Sequence, residues 1–118
     1  FVREVVASFV LPCVFRKCTA LDMGGNTGYI TSFIASLGAA VTAIEPQTDL
    51  AEAIRATARL NCWEDRITVH NAFVSVDPND TNKTRTATKL WRADNLRFNS
   101  SFTKPFWSLQ SFVDHNPR

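Results

Sequence analysis

Glycine is scarce in this chain, with four among 118 residues. Cysteine is scarcer still. Cys13, Cys18 and Cys62 are odd in number and irregularly spaced. No CxxC pair occurs and no histidine lies close by in sequence, which excludes the usual zinc-ligand spacings. Reduced, partly buried thiols are the expectation. Neither sign of charge dominates, since 13 Lys and Arg face 11 Asp and Glu for a net charge of +2. The basic residues form no run, so nothing here argues for nucleic acid or an anionic membrane as partner. Long apolar runs are lacking too. The stretch over residues 5–15 contains Pro12 and is too short to span a bilayer. No small-residue cleavage pattern follows it. It is therefore read as a packing helix over 2–11, and the expected location is cytoplasmic. The chain begins at Phe1 rather than Met, so its natural start is left open.

What is present is globular. Hydrophobic residues make up 45% and charged residues 20%, in a length that suits one domain. Residues 18–23 (CTALDM) form a short apolar run that suits a buried parallel strand. Tyr29, Ile30, Phe33, Ile34 and Leu37 then recur at helical spacing, and Gly38 stands where a helix C-terminal glycine belongs. Residues 39–44 (AAVTAI) read as a second strand, closed by Glu45 and Pro46. A second helix is expected over 50–60, capped by Thr48 or Asp49, with Asp49 and Glu52 at capping-box spacing. Residues 66–73 (RITVHNAF) read as a third strand. The order strand, helix, strand, helix, strand predicts an α/β fold, a partial Rossmann-like doubly wound parallel sheet. Residues 77–88 are polar and read as a loop. Beyond them the aromatics Trp91, Phe98, Phe102, Phe106, Trp107 and Phe112 lack clear periodicity, and an irregular or hairpin segment is expected.

Three of the four glycines fall in ALDMGGNTGYI, residues 20–30. A strand that turns sharply into a helix leaves free N–H groups at the helix start. Glycine permits the turn and the close approach of a ligand. Asp22, Gly24, Asn26 and Gly28 thus lie where a doubly wound sheet binds a nucleotide-like ligand. The dinucleotide fingerprint GxGxxG would put its glycines at 24, 26 and 29, and Asn26 and Tyr29 break it. No GK[ST] occurs, which excludes the Walker pattern. Glu45 ends the second strand about 20 residues on, where a carboxylate can accept both hydroxyls of a ribose. That placement alone suits an adenosine-containing methyl donor or NAD, and the glycine spacing favours the methyl donor.

LDMGGNTGYITSFIASLGAAVTAIEPQ together with LNCWEDRITVHNAFVS resembles the class I S-adenosylmethionine-dependent methyltransferases, specifically the FkbM-type family. The likeness covers residues 19–76. The family's first motif typically reads LDxGANxGxxT, its second FEP, and its third strand ends in a VxxxNxAxS pattern. The resemblance implies S-adenosyl-L-methionine as cofactor. It implies that Asp22, Gly24, Gly25, Asn26 and Gly28 form the loop around the methionine portion. Glu45 would hold the ribose hydroxyls, with Pro46 and Gln47 beside the adenine, and Asn71 and Ala72 near the adenine ring. Gly25 departs from the usual Ala. The family's later LDD and KxDxEG-like motifs do not occur, so the chain resembles the N-terminal half of such an enzyme. Residues 1–76 are expected to be half of the cofactor-binding domain and 77–118 an extension.

The implied activity is O-methylation of a small-molecule or sugar-like hydroxyl, an in-line displacement that needs chiefly alignment of donor and acceptor. No residue of this half is nominated as a base. Two alternatives stand beside it. One is a truncated, non-catalytic relic or binding fragment. The other, disfavoured by the glycine spacing, is an NAD-binding oxidoreductase module. Plainer readings stand beside each residue as well. Asp22 can serve as a turn or capping residue, the glycines can serve the turn alone, Glu45 can be a surface carboxylate and Asn71 a turn residue. His70 is expected to be structural, and Tyr29 faces either helix packing or the cofactor mouth. The N-x-S/T triplets at Asn79, Asn82 and Asn99 are read as accidents of an Asn/Thr-rich stretch. A half sheet leaves an unpaired edge, so self-association is expected.

Overall fold

The computed structural model describes residues 18–88 and 101–116. Strand β1 (Thr19–Met23) leads through the glycine turn into helix α1 (Tyr29–Ser36). Strand β2 (Ala40–Ile44), helix α2 (Thr48–Leu60) and strand β3 (Ile67–His70) follow. The three strands form one parallel sheet in the order β1-β2-β3, with β2 central. Thr19 lies opposite Ala40 and Met23 opposite Ile44, while Val41 lies opposite Ile67. This is the α/β arrangement that the alternation of elements predicts.

Side chains alternate across a strand. Val41 and Ala43 of β2 therefore share a face with Ile67 of β3, and both helices cover it. Ala35 of α1 and Ile54 and Ala58 of α2 complete this buried cluster. Both crossovers put their helices on the same side. The reversal that would wrap the other face is not found among the described residues. On that face Thr42, Thr68 and His70 meet Trp107 and Phe112 across a cavity of about 400 Å³.

Gly38 takes φ +93 just past α1, as its position in the pattern implies. The start of α2 differs from expectation. Its N-cap is Gln47, with no side-chain cap, and the helix begins at Thr48. The Gln47 N–H donates to Glu45 Oε1 at 2.8 Å, which turns the chain early. Thr48 gives its hydroxyl to Asn71 Oδ1, and Glu52 bonds Arg55 instead of closing a capping box.

The expected third strand is two. After His70 the chain bends, with the Ala72 N–H donating to the His70 carbonyl, and Phe73–Ser75 forms strand β4 of a second sheet. That sheet has the order β4-β6-β5, with β5 at Thr84–Thr88 and β6 at Ser101–Ser108. The supposed loop over 77–88 thus contains a 3-10 turn at Pro78–Asp80 as well as β5. Threonine is β-branched and serves the strand. Thr86 and Thr103 pair their hydroxyls across β5 and β6. The aromatics also gain a pattern. Phe102 and Phe106 of β6 gather about Phe73 at 5.8 and 6.0 Å, while Trp107 stacks on His70 at 5.2 Å and ties the second sheet to the first. Helix α3 (Leu109–His115) follows, capped by Ser108.

The thiol expectation needs correction. Cys18 is disulfide-bonded, whereas Cys62 is free and exposed in the turn after α2. Cys13 and the helix expected over 2–11 lie outside the described residues. Among the described residues no helix is long and apolar enough to cross a membrane, and no cluster of ligating side chains could hold a metal.

Candidate functional site: the glycine turn at the end of the first sheet

The chain leaves β1 at Met23 and must reverse within a few residues to start α1. Gly24 takes φ +79, Asn26 φ +51 and Gly28 φ +87, a region that L side chains other than Asn and Asp seldom enter. The N–H groups of Gly24 and Gly25 both donate to the Ile44 carbonyl, at 2.8 and 3.1 Å, so the turn is stitched to the end of β2. The Gly28 N–H donates to the Gly25 carbonyl.

Glu45 binds this turn. Its Oε2 accepts from the Asn26 N–H at 2.9 Å and its Oε1 accepts from the Gln47 N–H at 2.8 Å. The residue is 4% exposed, so it is not the ordinary surface carboxylate of the plainer reading. One carboxylate thus joins the turn after β1 to the first residue before α2. A negative charge at a helix N-terminus is also favourable.

Asp22, the last inward residue of β1 before the turn, accepts from the buried Thr31 hydroxyl through Oδ2. Thr31 sits in the first turn of α1, so Asp22 anchors the helix start. Asn71 closes the other side. Its Nδ2 donates to the carbonyls of Glu45 (2.9 Å) and Pro46 (3.0 Å), and its Oδ1 accepts from Thr48. Ala72 is buried and its N–H is spent on His70. Asp22, Gly24, Gly25, Asn26, Gly28 and Glu45 therefore surround one turn, and Asn71 joins them through the backbone of Glu45 and Pro46.

Ile54 explains two of the glycines. A Cβ on Gly25 would lie 2.9 Å from Ile54 Cδ1, and one on Gly28 would lie 2.9 Å from Ile54 Cγ1. Gly28 therefore does the close-packing work that the dinucleotide fingerprint gives to a glycine one position later. A Cβ on Gly24, in contrast, would meet nothing within 4 Å. Past the turn, Thr27, Gly28, Tyr29, Ser32 and Phe33 line a hollow of about 450 Å³. Tyr29 is 71% exposed, so it does not serve helix packing. His70 lies behind Asn71. Burial lowers its pKa below the usual 6.5, and the positive charge of Arg55 and the neighbouring His115 lower it further. Its ring stacks on Trp107 at 5.2 Å.

No protein-family model matches the chain, and no curated protein matches it. Solved structures do. The bifunctional kinase-methyltransferase WbdD is 24% identical, with 52% of this chain and 13% of that chain covered at a TM-score of 0.47. A SAM-dependent methyltransferase from Agrobacterium tumefaciens is 20% identical, with 62% and 25% covered at a TM-score of 0.48. Geranyl diphosphate methyltransferase, solved with GPP and sinefungin, is 20% identical, with 54% and 25% covered at a TM-score of 0.43. The chain thus spans well under half the length of these structures.

The polar groups around the turn have unspent capacity. Each Glu45 oxygen accepts one hydrogen bond and a carboxylate oxygen can accept two. Gln47 is 6% exposed, and its Oε1 has no hydrogen-bond partner. An acceptor left alone at such depth is costly. Sequence reasoning passed over Thr31 and Ile54. Thr31 could have been found from its place one helical turn past the glycines, but nothing in the pattern marks Ile54.

Proposed function

We propose that the chain carries the donor-binding half of an S-adenosylmethionine-dependent methyltransferase of the FkbM type. Residues 1–76 form that half domain and residues 77–118 an extension. The observation that carries the reading is the Glu45 carboxylate, placed at the C-terminal end of β2 against the glycine turn after β1. In this reading Asp22, Gly24, Gly25, Asn26 and Gly28 shape the bed for the methionine portion, and Glu45 receives the ribose hydroxyls. Pro46, Asn71 and Ala72 line the adenine end. The bound sulfonium supplies an activated methyl group. The chain's own residues hold and orient it, which is catalysis by proximity. The acceptor in this reading is a hydroxyl of a small or sugar-like molecule. The outer edge of β1, which has no strand partner among the described residues, is the place for self-association.

Calorimetric titration with S-adenosylhomocysteine tests the reading, with NAD as control. Saturable binding of the first alone by the folded chain supports it. Binding of NAD instead, or of neither ligand by a chain that melts cooperatively, rejects it. The second result leaves a motif without a working pocket.

A further inference from the structure

We propose that Asn82 is an acceptor site for N-linked glycosylation, an inference independent of the donor-site reading. The triplet Asn82-Lys83-Thr84 satisfies the N-x-S/T pattern. A pattern alone is weak, and the fold separates it from its neighbour. Asn82 stands in the turn between the 3-10 segment and β5 and is exposed, as is Thr84. The turn is held from below. The Lys83 N–H donates to the Asp80 carbonyl at 2.8 Å, and Lys83 Nζ pairs with Asp80 Oδ1 at 2.8 Å. Among the described residues the Asn82 amide and the Thr84 hydroxyl have no hydrogen-bond partner, so both groups that the reaction needs stay available.

The triplet at Asn79 is different. Its side chain and its N–H both bond Asp77 Oδ1, at 3.0 and 2.8 Å, and the Thr81 hydroxyl is given to the Pro78 carbonyl. Its acceptor amide and its hydroxyl are both engaged in the turn. Asn99 lies outside the described residues.

A second observation points to the compartment. Cys18 is disulfide-bonded. Such bonds persist on the oxidising, secretory side of the cell, the side on which N-glycans are carried. The location of Asn82 also gives the sugar something to do. β5 is an edge strand of the second sheet, and a bulky polar chain at its first turn blocks pairing with another strand.

The reaction balances with a lipid-diphosphate-linked oligosaccharide as co-reactant. The Asn82 amide nitrogen forms a bond to the anomeric carbon of the sugar. The bond from that carbon to the diphosphate oxygen breaks, the amide nitrogen loses one proton, and the lipid diphosphate leaves.

The test is peptide mapping of the full-length protein recovered from cells that make it naturally, after enzymatic glycan release in heavy-oxygen water. Release converts each glycosylated Asn to a mass-marked Asp. The expected result is a mark at Asn82 and none at Asn79. A recovered Asn82 peptide without the mark overturns the proposal, as does a mark at Asn79 alone. In cells given the gene, Asn82→Gln and Thr84→Ala each abolish the glycan, whereas Thr84→Ser retains it. Retention of the same glycan in Asn82→Gln places it elsewhere and rejects the assignment.

Discussion

The carboxylate of Glu45 accepts the backbone N–H of Asn26 across 2.9 Å. The two residues are 19 apart in sequence, one at the end of β2 and the other in the turn after β1. Through this bond the acidic residue also shapes the turn beside it. Glu45→Gln replaces one acceptor with a donor that faces an N–H. Leaving such a buried group unmatched costs about 1–3 kcal/mol. Chemical denaturation is expected to show a loss in that range. Glu45→Asp, which keeps the charge on a shorter arm, should lose less.

The pair Gly25 and Ile54 makes a sharper test. Gly25→Ala brings a methyl against Ile54 Cδ1, the end of a side chain that can shift, so a cost at the low end of overpacking, about 1 kcal/mol, is expected. Ile54→Val removes that δ-carbon at a cost of about 1 kcal/mol. The double variant should be more stable than the sum of the two losses implies, because the sites are in contact. Strict additivity in urea melts would show that the turn relaxes in some other way.

Gly28 combines two constraints. Its φ is +87, and an added Cβ would also meet Ile54. Gly28→Ala is expected to lose about 2–3 kcal/mol, from left-handed strain and crowding together. The atom it would meet is Ile54 Cγ1, which valine keeps, so Ile54→Val should recover little of this loss. A rescue as large as that of Gly25→Ala would refute the assignment.

Asn71 staples the ends of β2 and β3 through two carbonyls. Asn71→Asp cannot donate and sets a carboxylate against both oxygens. A stability loss of about 1–3 kcal/mol is expected. Hydrogen exchange should then speed up at Gln47 and Thr48 more than at Val41. Equal acceleration at all three would mean global rather than local opening.

His70 gives the pH dependence. Its pKa in the folded chain lies below the usual 6.5, first through burial and then through Arg55 and His115. The unfolded chain therefore binds a proton more readily than the folded one. Stability from this group is full above about pH 6.5 and is lost as pH falls below that value. The urea midpoint of the native chain should drop between about pH 8 and pH 5, and His70→Asn should flatten that drop. An unchanged profile in the variant would exclude His70 as the source.

The parallel core of the fold is legible in the residues alone, because it rests on local signals. CTALDM and AAVTAI are short apolar runs, the repeat from Tyr29 to Leu37 has helical spacing, and glycines stand where φ must be positive. Each signal is set within a few residues, so no tertiary contact was needed to read it. The turn residues and Glu45 were likewise visible, as glycines and polar residues at the ends of the first two strands.

Tertiary structure decided the rest. Whether Glu45 lay in water or beneath the turn depended on Asn26, which reaches it only once β1 and β2 are paired. Asn71 bonds carbonyls just past β2, far from it in sequence. β5 is a mostly exposed threonine strand whose partner, β6, lies across an intervening segment. Polar residues without a buried face leave no periodic signal until the pairing exists. What crowds position 25 is not local either. A Cβ there would lie 2.9 Å from Cδ1 of Ile54, a residue of α2.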